Sequence, residues 1–539
     1  MIFQSSFYKS KKILLIEDYE PVRASIKGML QQIGFENITS VADAAQAMAQ
    51  AARKPFDFIL ADFELGDGKD ALQLFDDLKQ QSLLKPGCCF AVMSAEPRRL
   101  PIHGMIEGIP DGFLLKPFTY IELEKRLAKA LQSKLELRKV YLALHNKDLK
   151  EAQLQLDEVI KTSPAYTLMA LRLKAEMLLA AKDYNAAHQL YSKISQQRDF
   201  NWAHLGSAIA LLRLEQYAAA EQALQGLLRY DDTRPEVLDW LIRLYLQQQD
   251  LPQAEEQMTE LLKLWPKDTA RQHALGILYL VSDKADDAIR HWQKLIQQYR
   301  FSVFDSTEYY LDLARLLTDQ CQSADIAHFN SALRKADEVL NSIPQKLISE
   351  QLEPQLLLLR ARLYLLHGRM TEARDLVTEH EFMQDDIALP VAALADKVRL
   401  LFALGNLKQA EHCLEQLRNL TPGDDLTADC QRLLQQHLLQ HDALLRAKIR
   451  EWNQGGIADA DAADYKAALI KLRQAFMYMP YNTSLAINLL HVLSKLPPHK
   501  ALTTLARTVL NVLEFQELPP ASQQKLALIK PLLPELYTG

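Results

Sequence analysis

The stretch Phe56–Gly68, FDFILADFELGDG, sets the first expectation about the fold. Its apolar run from Phe58 to Ala61 ends on a single acid, Asp62, and glycine follows at two nearby positions. A short run that is apolar at every position is typical of a strand buried on both faces of a parallel sheet. Asp62 is therefore expected at the end of a buried strand, at the edge where open parallel sheets bind their ligands.

The chain divides into two parts by its glycine content. Residues 1–130 contain 8 of the 17 glycines, and the remaining 409 residues contain 17 − 8 = 9. The first part alternates short apolar runs with segments of helical spacing, which predicts an α/β domain with a doubly wound parallel sheet. The glycine-poor remainder is rich in Leu, Ala and Gln, and this composition predicts successive helices.

Composition narrows the functional classes. The net charge is −6 and no basic block occurs, which argues against nucleic-acid binding because that requires clustered Lys and Arg. No apolar run approaches the roughly 20 residues that span a bilayer, and the first residues do not resemble a secretory signal. The cysteines form no CxxC pair, so we expect reduced thiols and a cytoplasmic protein. They are Cys88, Cys89, Cys321, Cys413 and Cys430.

Polar side chains follow four of the five apolar runs. Glu17 and Asp18 end the first, Asp62 the third, Ser94 the fourth and Lys116 the fifth. Parallel strands bring these ends to one edge, where three carboxylates would repel one another unless a cation lay among them. Carboxylate oxygens suit Mg²⁺, and a nearby hydroxyl and ammonium suit phosphoryl oxygens. This set permits attack by a carboxylate on phosphorus to give an acyl phosphate.

These residues, in this order, together with Phe113, resemble the receiver domain of two-component response regulators from about residue 10 to 130. The resemblance implies a flavodoxin-like domain in which Asp62 accepts a phosphoryl group from a histidine kinase or phosphotransfer protein. It implies that Mg²⁺ is bound by Glu17, Asp18, Asp62 and the backbone carbonyl of Glu64. It also implies that Ser94 and Lys116 contact the phosphoryl group, and that Ser94 and Phe113 relay the change to the surface.

Each of these residues also has an ordinary structural explanation. A lone Asp after a strand is commonly a turn former, Glu17–Asp18 could cap a helix, and Lys116–Pro117 could simply end a strand. All of these explanations would have to coincide at the strand ends, which favours the receiver interpretation.

Several positions depart from the family pattern or extend it. Gly66 replaces a common proline, and Ser94 replaces the more usual threonine. Glu64 and Glu96 are expected either to change the lifetime of the phosphate or to be solvated loop acids. Prolines at 97, 101 and 110 predict a short or irregular fourth helix.

Small alanines recur in the second part with a period near 34 residues. Ala152, Ala187, Ala220, Ala254 and Ala288 are separated by 35, 33, 34 and 34 residues. This period, with larger residues four positions after each alanine, resembles the tetratricopeptide repeat (TPR), a helix–turn–helix unit. We expect about nine units over 131–480, the last four degenerate, and capping helices over 481–539. The degenerate units would carry Ala332, Ala373, Ala410 and Ala468.

The first helices of such an array line a concave face, and its predicted residues are aromatic, apolar and charged. This mixture suits a protein segment better than nucleic acid. The Lys/Asn set with which some family members bind a C-terminal carboxylate does not recur in successive units. The predicted partner-binding residues are Tyr141, Arg172, Trp202, Asp239, Arg243 and His273, with Met169 and Ile209 beside them.

The joint between the two parts contains neither glycine nor proline from Thr119 to Thr162. Apolar residues recur at Leu123, Leu127 and Leu131, which predicts one helix running without a break into the array. Two alternatives remain at this point. A turn could open near residues 132–134, or the apolar stripe could pair with a second copy as a coiled-coil homodimer.

We therefore expect a response regulator that signals through phosphorylation-dependent protein binding by its TPR array. One alternative is an auxiliary modulator that binds its sensor kinase or acts as a phosphate sink, and so inhibits transfer to another regulator. A transcription factor is disfavoured because no basic helix-turn-helix is apparent. An enzyme is disfavoured because no catalytic constellation is visible outside the receiver domain.

Overall fold

The computed structural model forms two compact units, Met1–Trp265 and Pro266–Gly539. No described helix is long and apolar enough to cross a membrane. Gly66, Glu96 and the segment predicted to hold the irregular helix, 96–109, lie outside the described residues. The described residues are 5–65, 70–85, 87–95, 110–302, 304–323, 326–349, 352–379, 389–497, 500–514, 516 and 518–533.

The N-terminal domain contains a five-stranded, wholly parallel sheet with the strand order β2-β1-β3-β4-β5. The first connection runs from β1 outward to β2, and the later strands lie on the other side of β1. The doubly wound fold predicted from the alternating pattern is therefore confirmed. Its elements are α1 (Ser5–Lys9), β1 (Lys12–Ile16), α2 (Glu20–Ile33), β2 (Asn37–Val41), α3 (Ala44–Arg53), β3 (Phe58–Asp62), α4 (Ala71–Gln80), β4 (Cys89–Ser94), β5 (Gly112–Leu115) and α5 (Tyr120–Glu136).

The sheet is buried on both faces, as its continuous apolar strands require. Residues Leu15 and Leu60 belong to one core, and Leu14 and Ile59 belong to the core on the opposite face. Each fully buried Leu or Ile contributes about 1.5–3 kcal/mol through removal of its side chain from water. The central strands are thus rigid supports for whatever residues stand at their ends.

The helix α5 does not continue unbroken into the array, so the prediction of a continuous rod was wrong. It ends at Glu136, Leu137 adopts φ −89° and ψ 11°, and α6 begins at Arg138. Leu137 is fully buried, which explains why the chain turns here instead of at the polar residues 132–134. Its amide still donates to the Ser133 carbonyl and its carbonyl accepts from the Tyr141 amide, each at 3.0 Å, so backbone hydrogen bonds connect Leu137 to both helices.

The apolar stripe of α5 packs within its own chain, except for Leu135, which is exposed. Leu123, Leu127 and Leu131 are buried in the core of the N-terminal domain, and Val140 is buried in the first helical core of the array. A coiled-coil homodimer through this stripe would have to expose both cores. Among the four leucines of the stripe, only Leu135 is therefore exposed to a second copy.

Antiparallel helix pairs make up the rest of the first unit and nearly all of the second. In the first unit they are α6 (Arg138–His145), α7 (Leu149–Thr162), α8 (Thr167–Ala180), α9 (Tyr184–Gln197), α10 (Asn201–Arg213), α11 (Tyr217–Leu227), α12 (Arg234–Gln247) and α13 (Leu251–Leu264).

The second unit continues with α14 (Thr269–Val281), α15 (Ala285–Tyr299), α16 (Thr307–Ser323), α17 (Ile326–Asn341), α18 (Glu353–Leu366), α19 (Met370–Glu379), α20 (Val391–Ala403), α21 (Leu407–Asn419), α22 (Leu426–Asp461), α23 (Tyr465–Tyr478), α24 (Thr483–Ser494), α25 (Lys500–Glu514) and α26 (Pro520–Ile529).

The pairs share a turn that repeats with the alanine period. Five residues before most of the buried alanines, a residue with φ between 58° and 78° reverses the chain between the two helices of a pair. Only two of these residues are glycines, although the left-handed region favours glycine. The residues are Lys147, Lys182, Glu215, Gln249, Asp283, Gly368, Gly405 and Ala463.

One predicted repeat position falls out of register. Ala332 is only partly buried, whereas Ala336, one turn later on α17, is fully buried. The other eight predicted alanines are fully buried in the second helix of a pair. With Ala336 at the repeat position, the spacing from Ala288 becomes 336 − 288 = 48 residues and the spacing to Ala373 becomes 373 − 336 = 37 residues.

Candidate functional site

The carboxyl edge of the sheet carries the predicted site because the sheet hydrogen bonding extends past the ends of the strands. The Phe63 amide donates to the Met93 carbonyl at 2.8 Å, and the Lys116 amide donates to the Ser94 carbonyl at 2.8 Å. These bonds hold Asp62 beside the end of β4 and Lys116 beside Ser94. The side chains at the ends of β1, β3, β4 and β5 therefore share one edge.

Three carboxylates meet at this edge with one ammonium. Glu17, Asp18 and Asp62 can each offer an oxygen within 4.8 Å of the others. The Lys116 Nζ lies 2.7 Å from Glu17 Oε2 and 3.0 Å from Asp62 Oδ1. Glu17 is 2% exposed and Asp18 is exposed, so the cluster extends from the core to the surface. One ammonium leaves an excess of negative charge among these four side chains.

The pKa values record this excess. Burial raises the pKa of Asp62 above its usual value and Asp18 adds to the rise, although Lys116 and the Phe63 amide oppose it. Burial also raises the pKa of Glu17, and Asp62 adds to it against the effect of Lys116. The pKa of Lys116 is lowered by burial but raised more by its two carboxylate partners. The folded domain thus disfavours the charged forms of Asp62 and Glu17.

Mg²⁺ fits this donor set. It prefers carboxylate oxygens and water, and its charge would offset the excess of carboxylates over ammonium groups at this edge. Glu17, Asp18 and Asp62 would hold it, with Asp18 on the exposed side where water can complete the coordination shell. When bound, the ion draws negative charge from phosphoryl oxygens and so favours their approach to a carboxylate.

The other predicted residues lie around this cluster. Ser94 ends β4 and is buried, with its backbone paired to Leu115 of β5. Phe113 is half-buried and packs against the core on the Leu14 face. Glu64 is exposed two residues beyond Asp62, and its backbone forms an antiparallel bridge with Asp70.

One residue at the site escaped the sequence analysis. Arg23 on α2 donates from Nη1 to the carbonyl oxygens of Glu17, at 2.5 Å, and Asp18, at 3.2 Å. It therefore fixes the loop that presents two of the three carboxylates. An arginine in a helix has many ordinary surface roles, so its type and position alone did not reveal this contact.

Comparison with known proteins agrees with this geometry. The model of the response regulator receiver domain matches residues 13–128. This part of the chain is a receiver domain. Over 124 residues it is 27% identical to the chemotaxis protein CheY-3 of Vibrio cholerae, covering 23% of this chain and 94% of that protein. The structure of the chemotaxis response regulator CheY4 of Vibrio cholerae is 23% identical, with a TM-score of 0.21 and coverage of 22% of this chain and 98% of that chain.

Tetratricopeptide repeats follow the receiver domain, as predicted. The tetratricopeptide repeat model matches residues 178–239 and 211–278. A solved tetratricopeptide repeat protein from Parabacteroides merdae is 14% identical, with a TM-score of 0.32, and covers 56% of this chain and 99% of that chain.

In the first unit, the predicted partner residues form aromatic–arginine stacks. The Arg172 guanidinium lies 5.0 Å from the Trp202 ring centroid and also pairs with Glu176 at 3.1 Å. The Arg243 guanidinium lies 4.3 Å from the ring centroid of Trp240, which the sequence analysis did not single out. Arg172, Trp202 and Asp239 remain partly exposed, whereas Arg243 is buried. Tyr141 lies on α6, and its ring contacts the Lys134 ammonium of α5.

In the second unit, His273 is buried and does not present its side chain to a partner, in contrast to the expectation. Its Nε2 lies 2.5 Å from Asp312 and its Nδ1 lies 3.4 Å from Glu308. Burial lowers the pKa of His273, but Asp312 and Glu308 raise it more, and the net shift is upward. His273 thus stabilises the array by pairing with two acids of α16.

A larger network of buried charges continues from this pair. Arg315 bonds Asp312 and Asp396, Arg362 bonds Asp396 and Asp319, and Arg399 bonds Asp319. These residues join the first helices of three consecutive pairs, α16, α18 and α20. Because each acid has cationic partners, the network is balanced. No local sequence pattern indicates this network, because Arg315 and Asp396 are 81 residues apart.

The long helix α22 fills the inner side of the second unit. It packs against α14 and α20, and its Leu434 and Leu438 lie at the same small cavity as Ile277 and Leu280 of α14. Its C-terminal part pairs with α23 as a repeat does. The concave face predicted to be open to a partner is therefore occupied here by the chain's own helix.

Proposed function

We propose that this protein is a cytoplasmic response regulator, phosphorylated on Asp62, that signals by binding a protein through its TPR array. The observation that carries this proposal is the meeting of Glu17, Asp18, Asp62 and Lys116 at one sheet edge. Outside the receiver domain we propose no enzymatic activity.

The geometry suggests a role for each side chain. An Asp62 oxygen attacks the phosphorus of a phosphohistidine, the new O–P bond forms as the P–N bond breaks, and the leaving imidazole nitrogen takes up a proton. Lys116 lies 3.0 Å from Asp62 and would follow the charge to the transferred phosphoryl oxygens. Glu17 orients the Lys116 ammonium, and Arg23 fixes the loop of Glu17 and Asp18.

Phosphorylation by a small-molecule phosphodonor tests the site directly. The wild-type chain should gain the mass of one phosphoryl group in the presence of Mg²⁺. Asp62→Asn should not be labelled, and Asp18→Asn should lose the dependence on Mg²⁺. Asp57→Asn is the matched control, because Asp57 precedes the same strand at the opposite edge and should leave labelling intact. Equal labelling of Asp62→Asn would refute the assignment.

Binding of a partner to the TPR array is supported by the part-exposed Arg172–Trp202 stack on the first helices of the first unit. A pulldown with and without beryllofluoride, which mimics the phosphoryl group, tests the phosphorylation dependence. Recovery of a protein other than the kinase only in one state supports an output through the array. Recovery of the sensor kinase alone supports the auxiliary-modulator alternative.

A further inference from the structure

The strand β5 has a charged contact at each end. At its carboxyl end, Lys116 contacts Glu17 and Asp62 of the phosphorylation site. At its amino end, Asp111 pairs with Lys134 of α5 at 3.0 Å. Five residue steps at about 3.3 Å each separate Asp111 from Lys116 by roughly 16 Å. A short strand that is hydrogen-bonded to its neighbour is stiff over this length, so a displacement of one end also displaces the other.

Asp111 moves with the sheet because its own contacts fix it there. Its amide donates to the Phe90 carbonyl at 2.7 Å, and its carboxylate accepts from the Phe90 amide at 2.9 Å. The Asp111 side chain is 15% exposed and that of Lys134 is 17% exposed, so the ion pair is largely shielded from water. A shielded pair keeps its geometry better than a surface pair does.

Lys134 also contacts the repeat array. Its ammonium lies 4.2 Å from the ring centroid of Tyr141 on α6, in the distance range of a cation–π interaction. Leu137 separates α5 from α6 between these two residues and is buried in the first core of the array. One ammonium therefore contacts the receiver sheet on one side and the first TPR helix on the other, across the bend.

We propose that Lys134 couples the phosphorylation site to the TPR array, by transmitting a displacement of β5 through Asp111 to Tyr141. This inference rests on the proposed function, because the displacement begins when Lys116 exchanges a carboxylate partner for the phosphoryl group. Lys134 is a positioning residue that acts through its neighbours. The contact sets the angle between α5 and α6, and hence the placement of the first repeat.

Hydrogen exchange of the full-length chain, with and without beryllofluoride and Mg²⁺, tests this coupling. In the wild type, beryllofluoride should change the exchange of amides near Asp62 and also those of α6 and α7. The change in α6 and α7 should be at least about fivefold, the lower end of ordinary coupling between two sites. Lys134→Met should keep the response near Asp62 and lose the response in α6 and α7.

Matched variants separate coupling from stability alone. Lys134→Arg keeps the charge and should keep the coupling, and Lys129→Met removes an exposed lysine of the same helix and should behave as wild type. Tyr141→Leu removes the ring and should uncouple the array even if Lys134→Met does not fold, whereas Tyr141→Phe should remain coupled. An unchanged α6–α7 response in the uncoupling variants overturns the inference.

The wild-type chain distinguishes failure of the coupling from failure of the function. A response near Asp62 that never reaches α6 and α7 refutes the coupling but leaves phosphorylation standing. The absence of any response near Asp62, together with no labelling by the phosphodonor, refutes the proposed function itself.

Discussion

The receiver site and the buried network of the second unit contain the same kinds of groups in opposite balance. At the receiver edge, three carboxylates share one ammonium, and the pKa of Asp62 is raised. In the network, Asp319 contacts Arg362 and Arg399, and although burial raises its pKa, the two arginines lower it further below its usual value. Both acids are largely buried, so burial alone does not explain the difference. The number of cationic partners decides whether the pKa of a buried acid is raised or lowered.

This contrast separates a site that awaits a ligand from one that holds the fold together. An acid cluster short of positive charge destabilises the domain until a cation or a modification changes the balance. Removal of any member of a balanced network destabilises the fold, because the remaining charges are left buried without partners.

The largest expected effect comes from breaking the balanced network. Asp396→Ala leaves Arg315 and Arg362 without a shared carboxylate, and Asp396 is almost fully buried. We expect the second unit to lose about 3–5 kcal/mol of unfolding free energy. Urea denaturation followed by hydrogen exchange in α16, α18 and α20 measures this loss.

The matched control for that variant is Asp287→Ala, which removes a surface pair with Arg290 on α15. Its expected cost is about 1 kcal/mol or less, because water solvates both groups. Equal losses for the two variants would mean that the network contributes no more than a surface pair.

A smaller effect of opposite sign is expected at the receiver edge. Without Mg²⁺, Asp62→Asn should raise the stability of the receiver domain and, with it, the melting temperature. The reason is that the folded domain raises the pKa of Asp62 and so disfavours its charged form. Calorimetry of the full chain in a chelator measures the shift, and a lower melting temperature for the variant would contradict it.

The dependence of the receiver domain's stability on pH tests the same comparison. Because the folded receiver binds protons more tightly at Asp62 and Glu17 than the unfolded chain does, its stability should rise as pH falls from neutral toward their raised pKa values. Mg²⁺ should flatten this slope in the wild type by supplying the missing charge. Thermal melts at several pH values, with and without Mg²⁺, test both statements.

The smallest expected effect concerns His273, which faces Asp312, Glu308 and Arg315. Its raised pKa means that its stabilising charge is fully present below the pKa of an unfolded histidine. That contribution is lost as pH rises through the folded value. The second unit should therefore lose stability across this window, and His273→Gln should remove the slope. A slope that persists in the variant would assign the effect to another group.

The sequence predicted which side chains would meet at the sheet edge because the information for that is local. A short apolar run followed by an acid is a strand and its end, and a parallel sheet brings such ends together. The alanine period likewise marked the second helices of the pairs. Both signals depend on residue type at a fixed position.

The rest depended on contacts that no local pattern encodes. The left-handed turns are occupied by Lys147, Glu215 and Gln249 more often than by glycine, so glycine could not mark them. The bend at Leu137 arises because one leucine is drawn into the core of the array. The network joins helices tens of residues apart, and the burial of His273 followed from pairing with Asp312 on a later helix.

The length of α22 has a consequence for how the chain is made. Ile277 and Leu280 leave the ribosome well before Leu434 and Leu438, the helix residues that share their cavity. At about 5–20 residues per second, the intervening segment takes on the order of ten seconds to synthesise. During that interval the nascent second unit exposes an apolar inner surface that its own last repeat will later cover. We therefore expect chaperones that bind exposed apolar segments to bind this protein mainly before α22 has been synthesised.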